Sequence, residues 1–151
     1  MASLQCEKKL RALDGYREQV HLGTQALSDA NAALLAATQK AKDKKGFDDA
    51  ITKAFVSARD NLQRAIDDLE IKLNTWETEH RKLIKEVLDT ALDKAKREKD
   101  KELDKGCAPI KDYLDAAEEE IKSTHALIAN ARLFLEKNKK AFTMYVFQTA
   151  K

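Results

Sequence analysis

The sequence predicts an all-α fold: an elongated antiparallel coiled coil with a long helix and a folded-back second helix. Three observations predict it. The 151 residues include one Pro and four Gly, so the backbone is seldom directed to turn. Charged residues make up 36% of the chain, a composition typical of long helices. Apolar residues recur every three or four positions, and no segment shows the alternation of a strand.

The long helix is predicted over residues 1–105, because a seven-residue apolar repeat keeps its register across Gly46. One set of heptad positions reaches Leu34 and the next begins at Phe55, which is 21 residues or three heptads later. The stretch KAKDKKGFDDA around Gly46 leaves an alternative open, with a break at 43–47. The chain would then fold into a three-helix, spectrin-like bundle.

A second copy of the chain is expected to cover the apolar side of the long helix. A lone amphipathic helix leaves its apolar stripe in water, and so long a stripe implies a partner. Two-fold symmetry makes a homodimer the economical solution. The predicted dimer interface consists of the heptad residues Leu13, Val20, Leu27, Leu34, Phe55, Leu62, Leu69, Trp76 and Leu83.

A chain reversal is predicted at KGCAPI, followed by the folded-back helix over residues 109–140. Gly106 can adopt the left-handed conformation that ends a helix, and Pro109 suits the first turn of the next one. The apolar steps of four and three that follow predict a face that packs against the long helix as a hairpin. Its predicted packing residues are Ile110, Leu114, Ile121, Ile128 and Leu135.

Enzymes, metalloproteins and nucleic-acid binders are not expected from this composition. The three His and two Cys have no ligand spacing, and no glycine-rich phosphate loop is present, so we expect no catalytic residue, metal or cofactor. The net charge is only +2, and acids and bases alternate in the charged run at 93–105. No apolar run approaches the roughly 20 residues of a membrane span, and no signal peptide is visible. We expect a soluble, cytoplasmic chain, and its two ends would fit a piece of a longer protein.

The C-terminal segment is the most distinctive part of the sequence. Residues 132–151 contain five bases and one acid, together with four aromatic residues. A basic, aromatic segment can bind an acidic surface, although its aromatic residues could equally continue the packed face while the lysines point outward. The candidate contacts to an acidic partner are Arg132, Lys137, Lys139 and Lys140.

The strings ALIANARLFLEKN and FQTAK resemble the end of the coiled-coil region in tripartite-motif (TRIM) proteins of the midline type. There a short helix with an FLQTAK-like sequence forms the COS box, which implies a short COS-box-like helix at 141–151. Residues 55–88 are similar to the long central helix of that family, and the whole resemblance covers residues 47–151. The resemblance implies an antiparallel dimer. It also implies microtubule association through Asn138 and residues 147–151, with Lys137, Lys139 and Lys140 as candidate contacts. The family's zinc-binding RING cysteines are absent, so ubiquitin-ligase activity would require a RING domain outside this chain.

The function expected from these features is a non-enzymatic coiled-coil dimerisation scaffold. Its basic-aromatic C-terminal segment would associate with microtubules or another acidic protein surface, which would give the chain a cytoskeletal location. The alternative is a monomeric three-helix bundle that serves as an interaction or lipid-surface-binding module.

Overall fold

The computed structural model describes the backbone of residues 2–44, 46–96 and 101–147, and the side chains of residue 8 and residues 10–44, 46–85 and 113–147. Three helices account for nearly all of them: α1 is Ala2–Lys44, α2 is Asp49–Lys96 and α3 is Lys101–Phe147. The described residues contain no strand. The predicted all-α class is confirmed, and helices of 43, 48 and 47 residues are also compatible with the three-helix alternative.

The helices form two compact units, each built from one segment of every helix. Unit 1 comprises Met1–His21 and Lys72–Thr124, and unit 2 comprises Leu22–Ile71 and His125–Lys151. Within each unit, α2 runs antiparallel to α1 and to α3. In unit 2, for example, Phe55 near the start of α2 stacks on Phe142 near the end of α3. Each unit is therefore a three-helix bundle with up-down-up topology.

The prediction of one continuous helix over residues 1–105 is wrong, because the chain turns where the alternative placed the break. Helix α1 ends at Lys44, and Gly46 has a φ of 117°, a conformation that a side chain would strain. Asp48 then caps α2: its Oδ1 accepts a hydrogen bond from the Ile51 N–H at 3.1 Å. The shared heptad register of α1 and α2 reflects a common requirement for core packing and does not require one helix.

The predicted reversal at KGCAPI is also misplaced. Helix α3 begins at Lys101 and continues through Gly106 and Pro109, so the chain does not reverse at KGCAPI. A glycine inside a helix costs only about 1 kcal/mol, and a proline removes one backbone hydrogen bond, so tertiary packing can override both signals. The segment 141–151 is not a separate helix, since α3 continues to Phe147; residues 148–151 lie outside the described residues.

The core of each unit consists of the residues that recur every three or four positions. All nine residues predicted to face a second copy are instead buried by the chain's own helices, with exposed fractions between 0 and 5%. These nine residues are therefore not exposed to a second copy of the chain. The homodimer stays a prediction, but this set of residues no longer supports it. Four of the five predicted hairpin residues, Leu114, Ile121, Ile128 and Leu135, are buried, whereas the side chain of Ile110 lies outside the described residues.

Candidate functional site

The turn between α1 and α2 is held against the end of α3 in unit 2. The backbone N–H of Gly46 donates a hydrogen bond to the carbonyl oxygen of Tyr145, with an N–O distance of 3.2 Å. Below this contact, the Phe55 and Phe142 rings stack with a centroid separation of 3.9 Å and an interplanar angle of 5°. The turn and the end of α3 consequently form one surface, and these two contacts fix the position of the turn relative to the helix end.

Three large apolar side chains are exposed on this surface. Phe47 follows the turn glycine and is 72% exposed, while Met144 and Phe147 near the end of α3 are 57% and 71% exposed. Together with Lys139, Lys140 and Thr143, the two α3 residues line a shallow, open depression. Exposed apolar side chains that cluster in this way are characteristic of binding surfaces.

Four exposed lysines lie on the two helix ends that meet at this surface. Lys42 and Lys44 occupy the last turn of α1, and Lys137 and Lys140 lie on α3. All four are exposed, and none forms an ion pair with another described residue. The spacing of Lys137, Lys140, Met144 and Phe147 in steps of three, four and three places them on one face of α3. We call the seven residues Lys42, Lys44, Phe47, Lys137, Lys140, Met144 and Phe147 the basic-aromatic end.

The acidic side chains near the turn are already engaged. Asp43 Oδ1 accepts a hydrogen bond from Gln39, Asp48 caps α2, and Asp49 pairs with Lys53 at 3.2 Å. Because these carboxylates have partners of their own, the four lysines keep their charge available to an external anionic group.

The four predicted contacts to an acidic partner fall into two pairs. Lys137 and Lys140 are exposed and belong to the basic-aromatic end. Lys139 instead pairs with Glu136 at 3.3 Å, and Arg132 forms an ion pair with Glu70 that joins α3 to α2. Asn138, which the resemblance matched to the COS-box region, is buried and donates a hydrogen bond to the carbonyl of Phe134 at 2.8 Å.

Sequence reasoning missed Lys42, Lys44 and Phe47 as parts of this surface. A continuous helix through Gly46 would have left these three residues distant in space from residues 137–147. The available signal was the stretch KAKDKKGF, in which several lysines precede a glycine and an aromatic residue. Reading that glycine as a turn would have placed these residues at a helix end.

Unit 1 contains a second cluster of polar and aromatic side chains, which lies in the interior of the unit. The side chains of Trp76 and Tyr113 interact with each other, whereas both ring nitrogens of the buried His80 have no hydrogen-bond partner among the described residues. Burial lowers the pKa of His80 below 6.5, although Glu118 and Glu77 act in the opposite direction. Burial, together with the nearby Asp14 carboxylate, raises the pKa of Tyr113 to about 12. These shifts keep the imidazole and the phenol uncharged near neutral pH.

An ion pair lies on the surface of the same unit. Arg17 donates two hydrogen bonds to Glu120, at 2.7 and 2.6 Å, and His21 Nε2 lies 3.7 Å from the same carboxylate. The Arg17 hydrogen bonds lower the pKa of Glu120. Because Arg17 belongs to α1 and Glu120 to α3, the pair joins two helices of unit 1 and has a structural role.

The described residues contain no group of three or more His, Cys, Asp or Glu side chains arranged to hold a metal ion. Within the same part of the chain, no helix carries an apolar stretch long enough to cross a bilayer. Comparisons with protein-family models, curated proteins and solved structures found no match to this chain. The resemblance to tripartite-motif proteins therefore stays an expectation.

Proposed function

We propose that this chain is a non-enzymatic binding module, in which three-helix units support a basic-aromatic end that attaches to an anionic surface. The observation that carries the proposal is the placement of three exposed apolar side chains among four lysines without described acidic partners. This is the three-helix alternative to the dimerisation scaffold. We prefer it because the heptad residues that would join two copies already pack inside the chain.

Electrostatic attraction is the first part of the mechanism. The four lysines carry long, flexible stems and hydrated ammonium groups, which can follow a surface whose negative charges are not fixed in one geometry. Such attraction acts over about 10 Å at 0.1 M salt and weakens as salt rises. We therefore expect binding that is strong at low ionic strength and decreases when salt is added.

Preorganisation is the second part. The Gly46–Tyr145 hydrogen bond and the Phe55–Phe142 stack bring residues of α1, the turn and α3 onto one surface before a partner arrives. A surface that is already ordered loses less conformational freedom on binding. Lysines separated by almost a hundred residues in the sequence can then act together.

A charge-reversal variant with a matched control tests the proposal. The variant K42E/K44E/K137E/K140E alters the basic-aromatic end, and the control K8E/K82E/K85E/K122E alters exposed lysines of unit 1. Both variants lower the net charge equally, so a difference between them reports location. The measurement is co-sedimentation with microtubules, and separately with vesicles that contain phosphatidylserine, at low and at raised salt.

We expect the wild type to bind at least one of these surfaces at low salt. The first variant should bind at least about a hundredfold more weakly, since each basic residue near an anionic surface contributes about 1 kcal/mol. The control should keep most of the affinity. Equal losses in the two variants, or no binding of the wild type to either surface, would contradict the proposal.

A further inference from the structure

We infer that the anionic surface recognised by the basic-aromatic end is a lipid bilayer, into whose interface Phe47 and Phe147 insert while the lysines contact the headgroups. This inference rests on the proposed function and names its partner. Three features of the surface favour a bilayer over an acidic protein: the kind of apolar side chain exposed, the kind of cation on the same surface, and the shallow form of the depression beside Met144 and Phe147.

The exposed phenylalanines are the first feature. Phe47 and Phe147 are each more than 70% exposed, one on a turn and the other at a helix end. Such side chains gain free energy when they leave water for the boundary between headgroups and acyl chains. Met144 lies between Phe147 and Lys140 on the same face of α3 and extends the apolar area.

The cations are the second feature. All four cations of the basic-aromatic end are lysines, whereas Arg132 on the same helix is engaged with Glu70. Protein–protein interfaces are enriched in Arg and depleted in Lys, because a guanidinium makes defined paired hydrogen bonds. Lysines near inserted apolar groups can instead bury their methylene stems and keep the ammonium group at the headgroup level.

The form of the surface is the third feature. The depression beside Met144 and Phe147 is shallow and is lined by residues of α3 alone. A helical peptide or an extended protein segment needs a groove with walls from more than one element, or an open sheet edge. A bilayer needs neither, since a protruding turn and a helix end can enter its interface directly.

Flotation with vesicles of phosphatidylcholine, with and without phosphatidylserine, tests this inference. The double variant F47S/F147S removes both phenylalanines. The control I71S removes an apolar side chain of unit 2 that is 65% exposed and lies on α2, 22 residues after the start of that helix. Circular dichroism of each variant checks that the helices are retained.

We expect binding to the phosphatidylserine vesicles, with F47S/F147S at least roughly tenfold weaker and I71S unchanged. The single variant F47W provides a direct measure of insertion: lipids with brominated acyl chains should quench its fluorescence more than that of the wild type, whose Trp76 is buried in unit 1. Failure of F47S/F147S to weaken vesicle binding, or equal quenching of the F47W and wild-type proteins, would overturn the inference.

The microtubule arm separates this inference from the proposed function. If microtubules bind the wild type but not the K42E/K44E/K137E/K140E variant, and vesicles bind neither, the partner is an acidic protein. The lipid inference is then overturned and the proposed function stands. If neither surface binds the wild type, both fail.

Discussion

Unit 1 and unit 2 are built from the same three helices, but they differ in how their buried polar atoms are satisfied. In unit 2, Thr38 and Asn138 are buried and each donates a hydrogen bond to a carbonyl one turn earlier in its own helix, at 2.9 and 2.8 Å. In unit 1, His80 is buried, and neither of its ring nitrogens has a partner among the described residues. An unpaired polar atom in a core destabilises the fold around it.

The difference is one of degree, since unit 2 also contains unpartnered polar atoms. These are Asn31 Oδ1 and Thr52 Oγ1, which belong to residues that are only half-buried, whereas the His80 residue is 3% exposed. Among the described residues, the buried side chain with two unpartnered polar atoms is His80, which lies in unit 1. Unit 1 is where we expect local opening and pH dependence.

The largest expected effect comes from the aromatic stack of unit 2. Phe55→Ala should lower the free energy of unfolding by about 3–5 kcal/mol, because it removes a buried ring and leaves a cavity beneath the basic-aromatic end. The measurement is urea unfolding followed by circular dichroism. Phe147→Ala is the control, since that ring is exposed and its loss should change stability by less than about 0.5 kcal/mol. Equal effects would show that the stack does not support this end.

The next largest effect is expected from replacing the unpartnered imidazole in the core of unit 1. His80→Leu should raise the free energy of unfolding by about 1–3 kcal/mol, because it replaces an unpaired polar ring by an apolar side chain of similar size. Thr38→Val, which removes a satisfied hydroxyl in unit 2, is the comparison and should give no gain. Hydrogen exchange resolved by residue would show slower exchange in unit 1. A loss of stability in His80→Leu would mean that bound water satisfies the imidazole.

The pH dependence follows from the same histidine. Burial lowers the pKa of His80 below its unfolded value near 6.5, so the unfolded state takes up a proton first as the pH falls. Stability should therefore be complete above 6.5 and decrease below it, by at most about 1.4 kcal/mol per pH unit. Urea unfolding across this range measures the slope, which His80→Leu should reduce. The Glu120 carboxylate, whose pKa is lowered by Arg17, adds a further loss of stability at pH values below 4.5.

Two glycines should respond to alanine with opposite signs. Gly46→Ala should lower the free energy of unfolding by about 1–2 kcal/mol, because the residue has a φ of 117° at the turn of unit 2. Gly15→Ala in α1 should raise it by about 0.5–1 kcal/mol, since no atom lies within 4 Å of the added Cβ. Thermal and urea unfolding of both variants measure this. The same sign for the two would contradict the helix boundaries near Gly46.

The smallest effect concerns the ion pairs that join helices in the two units. Glu120→Gln in unit 1 and Glu70→Gln in unit 2 each remove one partner of an arginine. Both pairs are partly exposed, so each loss should be no more than about 1 kcal/mol. Double-mutant cycles with Arg17→Met and Arg132→Met give the coupling in each unit. A coupling above about 3 kcal/mol in either unit would show a pair shielded from water.

The sequence by itself determined the helical class and the identity of the core. Regular apolar spacing and the scarcity of Gly and Pro leave helices as the only economical structure, and the residues at heptad positions are the ones that are buried. What it did not determine was the partner of that apolar face. A heptad stripe is covered equally well by a second copy or by another segment of the same chain, since both remove the same area from water.

Tertiary structure decided the turn at Gly46, the continuity of α3 through Pro109 and the composition of the proposed binding surface. Local signals at a glycine or a proline amount to about 1–3 kcal/mol, which packing over a long helix can exceed or reinforce. Lys42, Lys44 and Phe47 join Lys140 and Phe147 only because the turn docks on the end of α3. That contact links residues almost a hundred positions apart, and no periodicity within one helix encodes such a distance.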